Sequence, residues 1–96
     1  MHVVVSKLAI KKYRAIKEYI VHKWGLSVAG NFEQKVKDFL PLLENFPEIG
    51  TMEFPNKQIR GFQLTKQTKV FYRIKGERII ILNFFDVRQS PGKKLK

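Results

Sequence analysis

The sequence predicts an α+β domain: an N-terminal strand, an antiparallel helix hairpin, then three antiparallel strands, with both helices on one face of a small, mostly antiparallel sheet. Three observations carry this. Between residues 7 and 46 apolar side chains recur every three or four positions, the period of amphipathic helices. From residue 59 onward the period falls to two, the period of strands. Pro47 and Gly50 mark the changeover. A chain of 96 residues has room for one domain, spanning 1–96, with one compact core.

Residues 2–6 are a short β-branched run and read as the opening strand. Ser6 is placed to cap a first helix, whose stripe is Ala9, Tyr13, Ile16, Ile20 and Trp24. Lys11, Lys12, Arg14, Lys17 and Lys23 fall mostly off that stripe. Gly25 ends the helix. Ser27 is the expected cap of the second, with the stripe Val28, Phe32, Val36, Phe39, Leu43 and Phe46. Pro41 inside this pattern should kink the helix or start its last turn. A loop is expected from Pro47 to about Asn56. Residues 59–64 form a weak strand, and Lys66 and Gln67 a turn. Residues 68–74 alternate, with Val70, Tyr72 and Ile74 on one side and Lys69, Phe71 and Arg73 on the other. Gly76 makes a tight hairpin turn. Residues 78–87 are apolar on both faces, as a central strand requires. Of the adjacent Phe84 and Phe85, one belongs to the core. Ser90, Pro91 and Gly92 stop this strand, and the basic tail after them is expected to be mobile. Trp24, Phe32, Phe39 and Tyr72 should form the seam between helices and sheet.

The composition is 44% hydrophobic and 28% charged, which suits a folded domain rather than a disordered tail. There is no cysteine, hence no disulfide framework and no thiolate metal site. The first residues lack the order of a signal peptide, and no apolar run nears the roughly 18 residues of a membrane span. These features predict a cytoplasmic protein with no membrane contact. No phosphate loop, metal-ligand cluster or nucleophile triad is present, so neither cofactor nor metal is expected.

Net charge is +11, unevenly spread. Residues 1–24 carry +5, residues 25–56 carry −3 and residues 57–96 carry +9. Such an excess steers a protein toward polyanions: nucleic acid, the ribosome or an acidic partner.

Four landmarks follow one another along the chain. A helix ends in Trp24, with Ala29 and Phe32 on the next. Then comes the loop Phe46-Pro47-Glu48-Ile49-Gly50. The pair Ile59-Arg60-Gly61-Phe62 and Val70-Phe71-Tyr72-Arg73-Ile74 follows. The last is the strand from Ile79 to Val87, with Arg88-Gln89 and Ser90-Pro91 after it. In this order and spacing they resemble the RelE/ParE superfamily, the toxin halves of type II toxin–antitoxin pairs. The resemblance covers nearly the whole chain. It implies a cognate acidic antitoxin as partner, part of it disordered until it wraps the toxin. It also implies one of two targets. RelE-like members resemble ribosome-dependent endoribonucleases acting on mRNA, whereas ParE-like members poison DNA gyrase and are not nucleases. A basic RNA- or ribosome-binding module without toxicity is a third class.

RNA cleavage through the 2′-hydroxyl needs a base, an acid and cations on the phosphate. By the resemblance, Lys69 and Arg88 fall where nuclease members keep arginines. Arg73 shares a predicted face with Lys69. Lys69, Arg73 and Arg88 are therefore the catalytic candidates, expected on one basic surface with Arg60 nearby. Lys57, Arg60 and Lys66 are the candidate nucleic-acid contacts. The side chain of Arg88 is not expected to be needed for the fold. Asp86 reads first as an ion-pair partner of Arg88 or Arg73, and second as an acid or base. No Tyr or His follows Arg88, a departure from the nuclease pattern. The histidines, His2 and His22, are expected to lie away from the site.

Overall fold

The computed structural model describes residues 1–89. The expected stop and tail at residues 90–96 lie outside them. The elements are β1 (His2–Val5), α1 (Lys7–Trp24), α2 (Leu26–Asn45), β2 (Thr51–Phe54), β3 (Ile59–Gln63), β4 (Thr68–Lys75) and β5 (Arg78–Asp86). They form the expected α+β fold, with the two helices packed on one face of a five-stranded sheet ordered β1-β5-β4-β3-β2. Every pairing is antiparallel except that of β1 with β5.

Ser6 caps α1 as expected: its hydroxyl accepts from the Ala9 amide at 3.0 Å and donates to the Leu82 carbonyl at 3.2 Å. Gly25 closes α1 by donating to the Val21 carbonyl at 2.9 Å. Its φ of 94° suits glycine and reverses the chain in one step. Its carbonyl then accepts from Ala29 at 3.2 Å, so α2 begins at Leu26, capped by Gly25 rather than Ser27. Pro41 heads the last turn of α2 and is exposed, where its missing N–H costs least.

The core joins Ala9, Ile16 and Ile20 of α1, and Ala29, Phe32, Phe39 and Leu43 of α2, to Val70, Tyr72, Ile79, Ile81 and Phe84 of the sheet. Tyr13 lies between Phe32, at 5.7 Å, and Phe84, at 5.9 Å, and Phe39 stacks on Phe62 at 4.6 Å. Phe84 is thus the core member of its pair.

Two further expectations are corrected and one feature is added. First, the loop after Gly50 contains an edge strand, β2, paired to β3 and followed by a short 3-10 turn, Pro55–Lys57. Second, β5 changes phase. Phe71 pairs with Asn83 but Tyr72 with Ile81, which leaves Leu82 as a bulge. Ile79 and Ile81 therefore share the helix face with Phe84 and Asp86. Third, Trp24 is not in the seam. It is 49% exposed, and it touches Tyr19 edge-on at 5.9 Å. Val28 and Phe46, at the ends of the α2 stripe, are likewise exposed. Trp24→Ala should consequently cost only about 1 kcal/mol, the scale of an exposed cation–π or ring contact. Thermal melts followed by circular dichroism check this, and a loss of several kcal/mol would return Trp24 to the core. Among the described residues, no helix is long and apolar enough to cross a membrane.

Candidate functional site

Strand pairing decides which face each candidate occupies. Thr68 pairs with Asp86, and both side chains turn toward the helices. The Asp86 carboxylate is fully buried there. It accepts from Thr68 Oγ1 at 2.5 Å, from the Arg88 amide at 2.9 Å, and from Arg88 Nε and Nη2 at 3.0 and 2.7 Å. The last two bonds form a bidentate fork. Burial alone raises the Asp86 pKa. The hydrogen bonds from Arg88, Thr68 and the Arg88 amide, together with the Arg88 charge, outweigh it and hold the carboxyl below its ordinary range. The same bonding pushes the Arg88 guanidinium above its ordinary value. The guanidinium also sits 5.4 Å from the centre of the Trp24 ring. Asp86 is thus the ion-pair partner of Arg88, and Arg88 belongs to the framework of the fold.

Lys69 and Arg73 share the face turned away from the helices, as expected. Lys69 Nζ donates to Glu53 Oε2 at 2.7 Å and lies 5.9 Å from the Phe71 ring centre. The Glu53 side chain lies across Gly61, where an added Cβ would stand 2.5 Å from Oε2. Arg73 has no ion-pair partner among the described residues. On the same face Asn83 Oδ1 is buried without a hydrogen bond among the described residues.

Arg60 pairs with Tyr72 and so lies on the helix side, opposite Lys69. Its Nη1 donates to the Gly50 carbonyl at 2.8 Å and to the Glu48 carbonyl at 3.3 Å. Tyr72 completes this anchor. Its buried hydroxyl donates to the Pro47 carbonyl at 2.7 Å and accepts from the Gly50 amide at 2.8 Å. Burial pushes that hydroxyl above its ordinary pKa, so it keeps its proton at any working pH. Lys57, in the 3-10 turn, and Lys66, between β3 and β4, are exposed. The structure therefore brings Lys69 and Arg73 onto one surface, while Arg88 and Arg60 lie on the other side of the sheet.

Two features escaped the sequence reading. His22 is not remote from the end of β5, because it lines a shallow cavity of about 340 Å³ with Glu18, Tyr19 and Gln89. An apolar cavity of about 690 Å³ also opens beside the loop at residues 46–50, lined by Met1, Leu42, Phe46, Ile49 and Ile74 with Glu48 at its rim. One signal for the loop anchor was available. A tyrosine between Val70 and Ile74 on a core face needs a buried partner for its hydroxyl.

Residues 3–91 match the family described as the ParE toxin of the type II toxin–antitoxin system, parDE. No curated protein sequence matches the chain. Among solved structures, the fold is similar to a chromosomal ParDE TA system from P. aeruginosa, with TM-score 0.75 and 22% identity over 90% of this chain and 95% of that one. It is also similar to a YoeB/ParE toxin from Agrobacterium tumefaciens, with TM-score 0.63 and 14% identity over 90% and 98% of the two chains. A conserved hypothetical protein from Helicobacter pylori gives TM-score 0.55 and 15% identity over 90% and 93%. These likenesses concern the fold, whereas the family match spans nearly every described residue. The chain belongs to the ParE toxin family of type II toxin–antitoxin systems.

Proposed function

We propose that this protein is a growth-arresting toxin of the cytoplasm that acts by binding DNA gyrase rather than by cutting mRNA, and that a cognate acidic antitoxin neutralises it. One observation carries the choice of mechanism. Of the three catalytic candidates, Lys69 and Arg88 each spend their charge on a carboxylate, Glu53 and Asp86, and they do so on opposite faces of the sheet. A nuclease needs its cations free and convergent on one phosphate. The excess of positive charge supports an acidic antitoxin.

The cavity of Tyr19, His22 and Gln89 favours the second reading, an mRNA endoribonuclease, because it places a tyrosine and a histidine beside Gln89, the residue that follows Arg88. In that reading Lys69, Arg73 and Arg88 remain the catalytic candidates, with Lys57, Arg60 and Lys66 as RNA contacts. Inducible expression without antitoxin separates the two. Growth arrest with gyrase-linked DNA breaks and intact mRNA is expected. Codon-aligned mRNA cuts, mapped from their 5′ ends, with no trapped gyrase would overturn the gyrase reading.

A further inference from the structure

The first turns of α1 carry more positive charge than the helix can use. Lys7, Lys11 and Arg14 stand at spacings of four and three, so they share one stripe about 10 Å long. Like charges at that spacing repel one another. Lys7 also sits in a first turn that holds no acid, where the helix dipole opposes a cation. None of the three has an ion-pair partner among the described residues. On α2, Glu33 is taken by Lys17 and Lys37, and Asp38 accepts from Gln34. Neither Glu18, one turn beyond Arg14, nor Glu44, near the end of α2, pairs with any of them. The stripe therefore weakens α1 in the free protein, and an anionic partner laid along it relieves the repulsion. Shape then narrows the occupant. The same three side chains line a shallow groove of about 400 Å³ together with Ile10, which is 37% exposed. Phosphates would satisfy the cations but leave Ile10 wet, whereas a protein segment supplies carboxylates and an apolar side chain together.

We propose that this stripe of α1 is a docking site for an acidic amphipathic segment of a partner protein, one that sets carboxylates at helical spacing around an apolar side chain, and that in a toxin this segment is the antitoxin's. The last clause rests on the toxin reading above, whereas the docking chemistry does not. The charge of +5 in residues 1–24 then serves recognition while weakening the helix that bears it.

The probes are two amphipathic peptides of about 15 residues, long enough to lie as a helix along the stripe, and a single-stranded RNA of about 10 nucleotides. The peptides share one Leu/Ile face and differ in carrying Glu or Lys on its flanks. Each probe is titrated into the isotope-labelled protein and followed by amide shifts. The Glu peptide should perturb residues 7–14 and bind about 30-fold more tightly than the Lys peptide, the sum of about three surface ion pairs. Its affinity should fall as salt is raised. Lys11→Glu should weaken it about tenfold, and yet raise the melting temperature by about 2 °C because a like-charge clash becomes an attraction. Ile10→Ser should weaken it about fivefold by removing the apolar floor. Perturbations on another face, no preference for the Glu peptide, or an unchanged Kd for Lys11→Glu would overturn the docking site. So would RNA that binds the stripe more tightly than the Glu peptide, since the occupant would then be a nucleic acid. A lowered melting temperature in Lys11→Glu would show that the stripe stabilises α1 and would overturn its assignment to recognition. Absence of growth arrest by the wild type would sink the toxin reading alone and leave the peptide result standing.

Discussion

Arg88→Ala should lower the folding free energy by about 3–5 kcal/mol, the cost of leaving a buried carboxylate without its cation. That is a large share of the roughly 5–15 kcal/mol a small domain possesses. Arg88 supplies three of the four hydrogen bonds on Asp86, whose side chain has no exposed surface. The amide bond survives the substitution, and the two guanidinium bonds do not. The effect of pH follows from sign. In the wild type the Asp86 pKa is depressed below its ordinary 3.8. The ion pair therefore contributes fully above that value, and its contribution is lost as pH falls through the folded-state pKa. In Arg88→Ala burial dominates and the Asp86 pKa rises, so the variant is penalised at neutral pH and relieved on acidification. The gap between the two proteins should narrow as pH drops, read from urea unfolding across a pH series. A constant gap would mean that Arg88 acts through packing on Trp24 rather than through Asp86. The consequence for function is direct. Loss of toxicity in Arg88→Ala would report a damaged fold as readily as lost chemistry. Arg73→Ala is the cleaner test of phosphate contact, since no ion pair of the fold depends on Arg73 among the described residues.

Tyr72→Ala should cost about 3–5 kcal/mol, as truncation of a fully buried aromatic does. Tyr72→Phe separates its two roles. The ring stays, while the hydroxyl that serves Pro47 and Gly50 is lost. The buried Gly50 amide is left without an acceptor, at about 1–3 kcal/mol. The loop should loosen while the core stays intact. Faster hydrogen exchange at the Gly50 amide, with core amides unchanged, is the expected signature. Uniform acceleration would show that the hydroxyl supports the whole core rather than the loop.

The parts of the fold visible in the sequence were those whose period survives intact. The stripes Ala9-Ile16-Ile20 and Phe32-Phe39-Leu43, and the alternation of Val70 and Tyr72, face the core as read. The misreadings have local causes. Residues 51–54 form a four-residue edge strand between Gly50 and Pro55, too short and too flanked by turn residues to show a period. The bulge at Leu82 is hidden at the end of the unbroken apolar run at residues 79–82, where no alternation marks a change of face. Gly25 serves two helix ends at once, which makes a serine cap unnecessary. Trp24 continues the spacing of Ile16 and Ile20, but spacing does not say how deeply the last residue of a helix is covered. Candidate residues were legible as basic side chains on alternating strands. Their carboxylate partners were legible only for Asp86, two residues from Arg88, whereas Glu53 reaches Lys69 across two strands.

The pairing of β1 with β5 sets when, as well as how, this protein becomes itself. His2 is matched with Arg78 and Val5 with Ile81, so the first strand made finds its partner only in the last. Ser6, at the head of α1, likewise bonds Ile81 and Leu82, and Gln89 bonds back to Ala15. Contacts so distant along the chain are slow to form, because their loop entropy is lost before any contact repays it. During translation the helix hairpin emerges early but has only part of its sheet to rest on until β5 leaves the ribosome. The anchored loop at residues 46–50 waits in turn on Tyr72 of β4, whose own pairing with β5 comes last. The order of the loop thus depends on a strand that lies last among the described elements, so a local feature near the middle of the chain is secured by its most distant pairing.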